Sequence, residues 1–434
     1  DRAAGRQQDA RGKQGEGSMH LNHVARMKWF AFSVSCVACA QAAASVAPPR
    51  PAIVHPGIDV LLSDSMALVR GKRIGFVTNI AAVDARGTSA VTRLRAAGLD
   101  LVALFAPEHG LAETAAPGEG VASSVDSSTN IPIYSLYGAT VAPTAAMLAG
   151  IDVMVVDLPD VGARYYTYLA TTVEVMQSAG ARGIPVVVLD RPNPIGSAVQ
   201  GNVLDPAFAS MVGRLAVPMR HGLTLGEEAR LAQSDLHLSV ELHVVPAAGW
   251  RRDMLFEQTG LPFRPPSPNL QDIEALFDYP GTCLFEGTAL SVGRGSDAPF
   301  RQIGAPWLDT AAVLARLRAA RLSGVTFTAV SFTPHRPGDR KFADTTVAGI
   351  RLTVTDRRTF DPTRTAVFML AMIRAVHPDR IRIGGSFDRL AGSPTLRTAL
   401  LRGDPPQRIV DSWRHALAAY RRRVRPFLLY HPSL

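Results

Sequence analysis

The segment IDVMVVDLPDVGARYYTY, residues 151–168, decides the fold. It opens as an apolar run, ends in the polar turn Asp157-Leu158-Pro159-Asp160, and passes into a helical pattern. Three other segments repeat this plan: RIGFVTN (73–79), LVALFAPEHG (101–110) and IPVVVLDRPNP (184–194). Helical stretches separate them. One spans 88–97, with Val91, Leu94 and Ala97 at helical spacing, and another follows Arg164 through Tyr168, Leu169, Val173 and Met176. A third opens at Thr224, where Thr224-Leu-Gly-Glu227 has the spacing of a capping box. Strands alternating with helices predict an α/β fold with a parallel sheet, and ligands of such sheets bind beyond the carboxyl ends of the strands. The polar strand ends are therefore the candidate site.

The chain has 434 residues, which favours two domains over one core. Its 47% hydrophobic and 19% charged residues are ordinary for a globular protein. Residues 1–50 hold seven Lys/Arg against three Asp/Glu, so the remainder carries +5 of the +9 net charge. No Lys/Arg block with interleaved aromatics occurs, which argues against nucleic acid.

Residues 19–40 read as a signal peptide. Arg26 and Lys28 form a basic start, Trp29 to Val37 a short apolar run, and Ala38-Cys39-Ala40 a cleavage-type motif. That run is too short to span a bilayer, and export to the periplasm is expected. Lipidation at Cys36 or Cys39 is the competing reading. Residues 1–18 read as disordered or as a misread upstream start, and 41–54 as a proline-rich linker. Removal of the leader leaves Cys283 alone, so no internal disulfide is expected. Cys283 sits in the strand-like run TCLFEG and reads as a buried structural residue.

The α/β domain is expected over 55–230 and a second domain over 231–434. The second contains the loop-rich stretches LPFRPPSPN (261–269) and 279–307, then strands over 325–334 and 349–356. Asp361-Pro362 starts a long helix, and a last helix runs from about 406 to 424.

Several residues carry candidate chemistry. Glu108 and His109 lie in a Pro-Glu-His-Gly turn after a buried strand, where desolvation favours a protonated carboxyl and hence a general acid; the alternative is a turn carboxylate. Asp157, Asp160 and Arg164 share one strand–turn–helix, and Arg164 offers a fork for a substrate carboxylate. Asp190, Arg191 and Asn193 form a similar cluster, with rigid turn formation as the competing role. Asn79 ends the first strand, and His221 precedes the capped helix. Glu286 and Arg294 stand in a glycine-rich stretch without packing periodicity; a local ion pair would also explain them. Asn269 lies in the PSPN loop. Neither G-x-G-x-x-G nor a Walker-type loop occurs, so no nucleotide cofactor is expected. Nor is there a G-x-S-x-G elbow or an H-E-x-x-H motif. No spacing demands a metal, and no cofactor is expected.

FAPEHG, IPIYSLYG, DLPDVGARYYTY, VLDRPNP, VPMRHGLTLGE, PSPN, YPG, FEGT, GRG and GAPW occur in this order. Together they resemble the exo-β-N-acetylmuramidase (NamZ-type) family, long catalogued as a conserved domain of unknown function, over about residues 55–434. The resemblance implies a Rossmann-like sheet domain, a smaller α/β (α+β) domain and an active site in the cleft between them. It implies release of terminal β-1,4-linked N-acetylmuramic acid from non-reducing ends of peptidoglycan fragments, and it places the catalytic glutamate at Glu108. Glu286, Asp160 or Asp157 is the candidate partner, the alternative being that the acetamide carbonyl of the sugar itself acts as nucleophile, and Arg164, Arg191 or Arg294 is the candidate clamp for the lactyl carboxylate. This chain departs from the family pattern at Thr345–Gly349 and lacks an arginine in Ala112–Gly120. A periplasmic muropeptide-binding protein without turnover and a metal-dependent hydrolase remain alternatives, and monomer or dimer stays open.

Overall fold

The computed structural model describes residues 53–115, 118–126 and 129–431. The expected upstream segment, the signal peptide and most of the linker lie outside them.

Twelve strands occur among the described residues: β1 (Arg73–Thr78), β2 (Asp100–Ala106), β3 (Ser124–Val125), β4 (Pro132–Ser135), β5 (Val153–Asp157), β6 (Val186–Leu189), β7 (Gln200–Val203), β8 (Pro218–Arg220), β9 (Leu242–Val245), β10 (Gln302–Ala305), β11 (Val325–Phe332) and β12 (Val347–Val354). Seven form one sheet in the order β3-β4-β2-β1-β5-β6-β9, parallel except for β3. The four segments recognised in the sequence are its four adjacent central strands.

These strands read as continuous apolar runs because both faces are covered. Val153 and Val155 point into one core and Met154 and Val156 into the other; Val187 and Val186 divide the same way. Helices α1 (Gly57–Asp64) and α2 (Ala90–Ala96) supply Ile58, Leu61 and Leu94 to the first face. Helices α3 (Tyr168–Gly180) and α4 (Leu225–Asp235) cover the second. Each fully buried Val, Ile or Phe side chain contributes roughly 1.5–3 kcal/mol. The Thr224–Glu227 capping box is present at the start of α4.

The sheet does not stop at residue 230. β9, at 242–245, pairs parallel with β6, so the seventh strand comes from beyond the expected boundary. The chain then crosses to α5 (Ile273–Thr282), a three-stranded antiparallel sheet β10-β12-β11, α6 (Thr310–Ala320) and α7 (Pro362–Val376). Their core residues Phe277, Ile303, Ile350, Leu352 and Met369 join the second face of the large sheet in one continuous cluster. Gly281 permits the α5–α7 contact, because a Cβ there would lie 2.1 Å from the Pro362 carbonyl oxygen. Two sequence expectations change. Cys283 lies in a 3-10 turn, Cys283–Gly287, that continues α5 rather than in a strand. The last expected helix is two, Pro406–Asp411 and Arg414–Val424. No helix of the described residues is long and apolar enough to cross a membrane.

Candidate active site

β2 delivers Pro107-Glu108-His109-Gly110. His109 and Gly110 both take left-handed backbone conformations, with φ of 72° and 77°. This is strain-free for glycine but uncommon for histidine. The reversal closes the turn on itself: Gly110 N donates to Pro107 O (3.0 Å) and Ala115 N to His109 O (3.3 Å). The His109 ring bonds to Ala115 O through Nδ1 at 2.9 Å. A carbonyl only accepts, so Nδ1 carries the proton and Nε2 is the basic nitrogen. Burial pushes the His109 pKa down, against a smaller opposing pull from Glu108.

Glu108 is half-buried. Thr167 Oγ1 donates to its Oε2 at 2.8 Å and Gly118 N to its Oε1 at 3.1 Å. The Tyr137 hydroxyl is also hydrogen-bonded to it. All three partners are neutral. The three donors fix the orientation of the carboxyl group.

Glu108 and His109 open onto a cleft lined also by Tyr165, Tyr166, Tyr279, Phe300, Glu286 and Arg294. The rings interlock edge-on: Tyr279 meets Phe300 at 4.8 Å and Tyr165 at 6.1 Å between centroids. Arg294 Nε donates to Glu286 Oε1 at 2.6 Å, so the ion pair considered from sequence exists, and it exists within the cleft. The Arg294 guanidinium stacks 4.8 Å over Phe300. Cys283 Sγ donates to Glu286 Oε2 at 3.6 Å. Lys341 Nζ donates to the Phe285, Glu286 and Leu290 carbonyls, which fixes the loop carrying Glu286.

The other expected site residues lie outside this cleft. Arg164 is buried and spends its guanidinium on the carbonyls of Asn202, Val217 and Leu390. Arg191 grips Asp157 with two hydrogen bonds, 2.5 and 2.9 Å, and Asp157 is fully buried. Neither arginine can clamp a lactyl group in the cleft, and Asp157 is not available as the second carboxylate. Asp190 accepts from Thr224 Oγ1, Gly226 N and the Tyr430 hydroxyl, tying β6 to α4 and the C-terminal end. Asn193 is a turn residue, bonded to Leu223 O and Ile195 N. Asn79 is buried against Glu113 and Tyr168. Asn269 is half-buried beside the cleft residues Ser267 and Leu270.

Asp160 and His221 come together with Glu228 in a buried cluster whose ligand-type atoms lie within 4.8 Å of one another. Leu223 N donates to His221 Nδ1 at 3.2 Å, leaving the ring proton on Nε2, 3.7 Å from Asp160. Burial pushes Asp160 up to about 7 and His221 down to about 3, the latter helped by Arg164, Arg220 and Arg252. A dication would share the pocket with those three arginines. Asp160 also accepts from Gly162 N at 2.7 Å and so braces the turn that leads to Thr167.

The tyrosines, Thr167 and Glu113 were not singled out by sequence reasoning. The run Tyr165-Tyr166-Thr167-Tyr168 was the available signal: three phenols and a hydroxyl at a strand–helix turn suit a sugar.

A Rossmann-like sheet, a second antiparallel sheet on the same core and a phenol-walled cleft with two glutamates define an α/β protein of the acid–base hydrolase class. Family comparison narrows the class. The N-terminal model of exo-beta-N-acetylmuramidase NamZ matches residues 74–274 and its C-terminal model matches 277–430, so the chain belongs to the exo-β-N-acetylmuramidase NamZ family. The peptidoglycan beta-N-acetylmuramidase NamZ of Bacillus subtilis (strain 168) is 40% identical over 381 residues, covering 87% of this chain and 91% of that protein. Crystal structures of two DUF1343 family proteins from Bacteroides fragilis NCTC 9343 share the fold. One aligns at TM-score 0.80 with 31% identity over 88% of this chain and 100% of its own. The other aligns at TM-score 0.71 with 27% identity over 88% and 99%.

Proposed function

We propose that the chain is an exo-acting glycoside hydrolase that releases terminal β-1,4-linked N-acetylmuramic acid from non-reducing ends of peptidoglycan fragments. The observation that carries this reading is Glu108, held by three neutral partners at the mouth of a phenol-walled cleft that also holds Glu286 and Arg294. The family and the Bacillus subtilis relative support the substrate class.

Glu108 protonates the glycosidic oxygen as the bond breaks. Of the other carboxylates lining the cleft, Glu286 and Asp339, Glu286 is assigned as the second carboxylate. It sits on the 3-10 turn Cys283–Gly287, a different element from the one that carries Glu108. Arg294 spends Nε on Glu286, and its terminal nitrogens are the donors left for the lactyl carboxylate. The tyrosine wall offers apolar ring surface to the sugar, the Tyr165 and Tyr166 hydroxyls being bonded to Pro280 O and Pro266 O. The leader read at 19–40 fits delivery to the periplasm, where such fragments arise.

The test is digestion of MurNAc-terminated peptidoglycan fragments with product analysis. Free N-acetylmuramic acid should appear from the first time point, together with the fragment shortened by that one residue. Release of disaccharides that still carry the terminal N-acetylmuramic acid, or tight binding with no release, would overturn the reading. A chelator should leave the rate unchanged; its loss would favour a metal-dependent hydrolase built on Asp160, His221 and Glu228.

A further inference from the structure

Glu113 lies on the turn that carries Glu108, five residues downstream, yet it does not line the cleft. It is buried, and its backbone is left-handed at φ 53°. Its Oε1 accepts from Asn79 Nδ2 and, at 2.9 Å, from the Tyr168 hydroxyl, whose single proton is shared with Pro266 O at 3.0 Å. Asn79 Nδ2 also donates to the Tyr168 hydroxyl at 2.8 Å, so the three side chains form one knot joining the end of β1, the turn and the first residue of α3. Two atoms of this knot have no partner: Glu113 Oε2 and Asn79 Oδ1.

Both of those atoms are acceptors in an ionised knot, and burying an acceptor without a donor is costly. A proton on Glu113 Oε2 supplies the missing donor. The neutral acid gains a donor and still accepts the Asn79 amide bond at Oε1. The titratable groups facing Glu113 are Tyr168 and Tyr166, both phenols, with no cation among the described residues to hold an anion there.

We propose that Glu113 works as a neutral carboxylic acid that pins the turn bearing Glu108 to the start of α3, and so positions the catalytic carboxyl group. Position follows from the chain: Thr167, which donates to Glu108, immediately precedes Tyr168, which donates to Glu113. Losing the proton places an unpaired anion in the knot and loosens both ends of the Glu108 site. Burial, opposed only by Tyr168, pushes Glu113 up to about 8 from an ordinary 4.5, so the knot is protonated at neutral pH and opens on the alkaline side.

The proposal rests on the muramidase reading for its kinetic arm, and its stability arm stands without it. Glu113→Gln keeps the donor and the acceptor of the neutral acid but cannot ionise. Below pH 7 its kcat on a chromogenic β-N-acetylmuraminide should stay within about twofold of the parent. At pH 9, one unit above the group's value, the parent should have lost about tenfold relative to the variant. Glu113→Ala should lose kcat at every pH with KM little changed. In thermal unfolding, the parent should lose stability relative to Glu113→Gln as pH rises from about 4.5 to 8. Superimposed pH profiles of parent and Gln variant in both assays would overturn the proposal. So would a Gln variant as inactive as Glu108→Gln, since Glu113 would then be needed as an anion.

Discussion

Thr167 donates a 2.8 Å hydrogen bond to Glu108 across 59 residues of sequence. It joins the end of β2 to the start of α3, so the orientation of the carboxyl group depends on the packing of two separate elements. An ordinary hydrogen bond contributes about 0.5–1.5 kcal/mol. Thr167→Val should therefore lower kcat roughly 2- to 10-fold with KM little altered, and Thr167→Ser should recover most of it. Steady-state kinetics on a chromogenic β-N-acetylmuraminide provides the check. A rise in KM at unchanged kcat would mean that Thr167 binds substrate instead.

Arg294 is the arginine, of the three considered, that lines the cleft. Replacing it by lysine keeps a charge but loses the planar fork and the stacking on Phe300. KM for a β-N-acetylmuraminide should rise about tenfold or more. The matching N-acetylglucosaminide, which lacks the lactyl carboxylate, should change far less. Equal losses on both substrates would show that the Glu286 contact, rather than lactyl recognition, is what Arg294 provides.

Stability should depend on pH with a definite sign. Asp160 is raised to about 7 and Asp190 to about 6, both through burial first. Raised carboxyl groups stabilise fully below their ordinary value, and that stability drains as pH climbs to the folded-state value. His221, depressed to about 3, acts the other way and costs stability as pH falls below its ordinary 6.5. Between pH 6.5 and 7 the opposing contribution of the histidine fades while Asp160 still titrates. Asp160→Asn, which keeps an acceptor for Gly162 N, should flatten the fall in melting temperature with rising pH up to about 7. An unchanged slope would exclude Asp160 as its source.

Much of the fold was legible because parallel strands buried on both faces leave uninterrupted apolar runs, as in VMVVD and VVVL. The end of the sheet was not, since Leu242–Val245 is short and its partner β6 lies over 50 residues upstream. That Glu108 lies in a cleft was legible from its place after a buried strand. The roles expected for Arg164 and Arg191 were not separable from structural ones by sequence. Whether an arginine at a strand end meets a ligand, three carbonyls or a buried aspartate depends on the packing of distant segments around 202, 217 and 390. The Glu286–Arg294 pair was visible as a pair, but only the fold brings it opposite Glu108's strand. Glu113 gave no signal, because its environment is assembled from β1, α3 and the 266 loop.

The most direct test of the central claim is the rate of Glu108→Gln on a chromogenic β-N-acetylmuraminide, with folding checked by its melting temperature. Glutamine keeps the acceptor for Thr167 but has no proton to give. General-acid catalysis is worth about 10²–10⁴-fold, so a loss of that size with an unchanged fold is the expected result. A variant that folds normally and releases muramic acid at the parent rate would contradict the assignment of Glu108 as the acid.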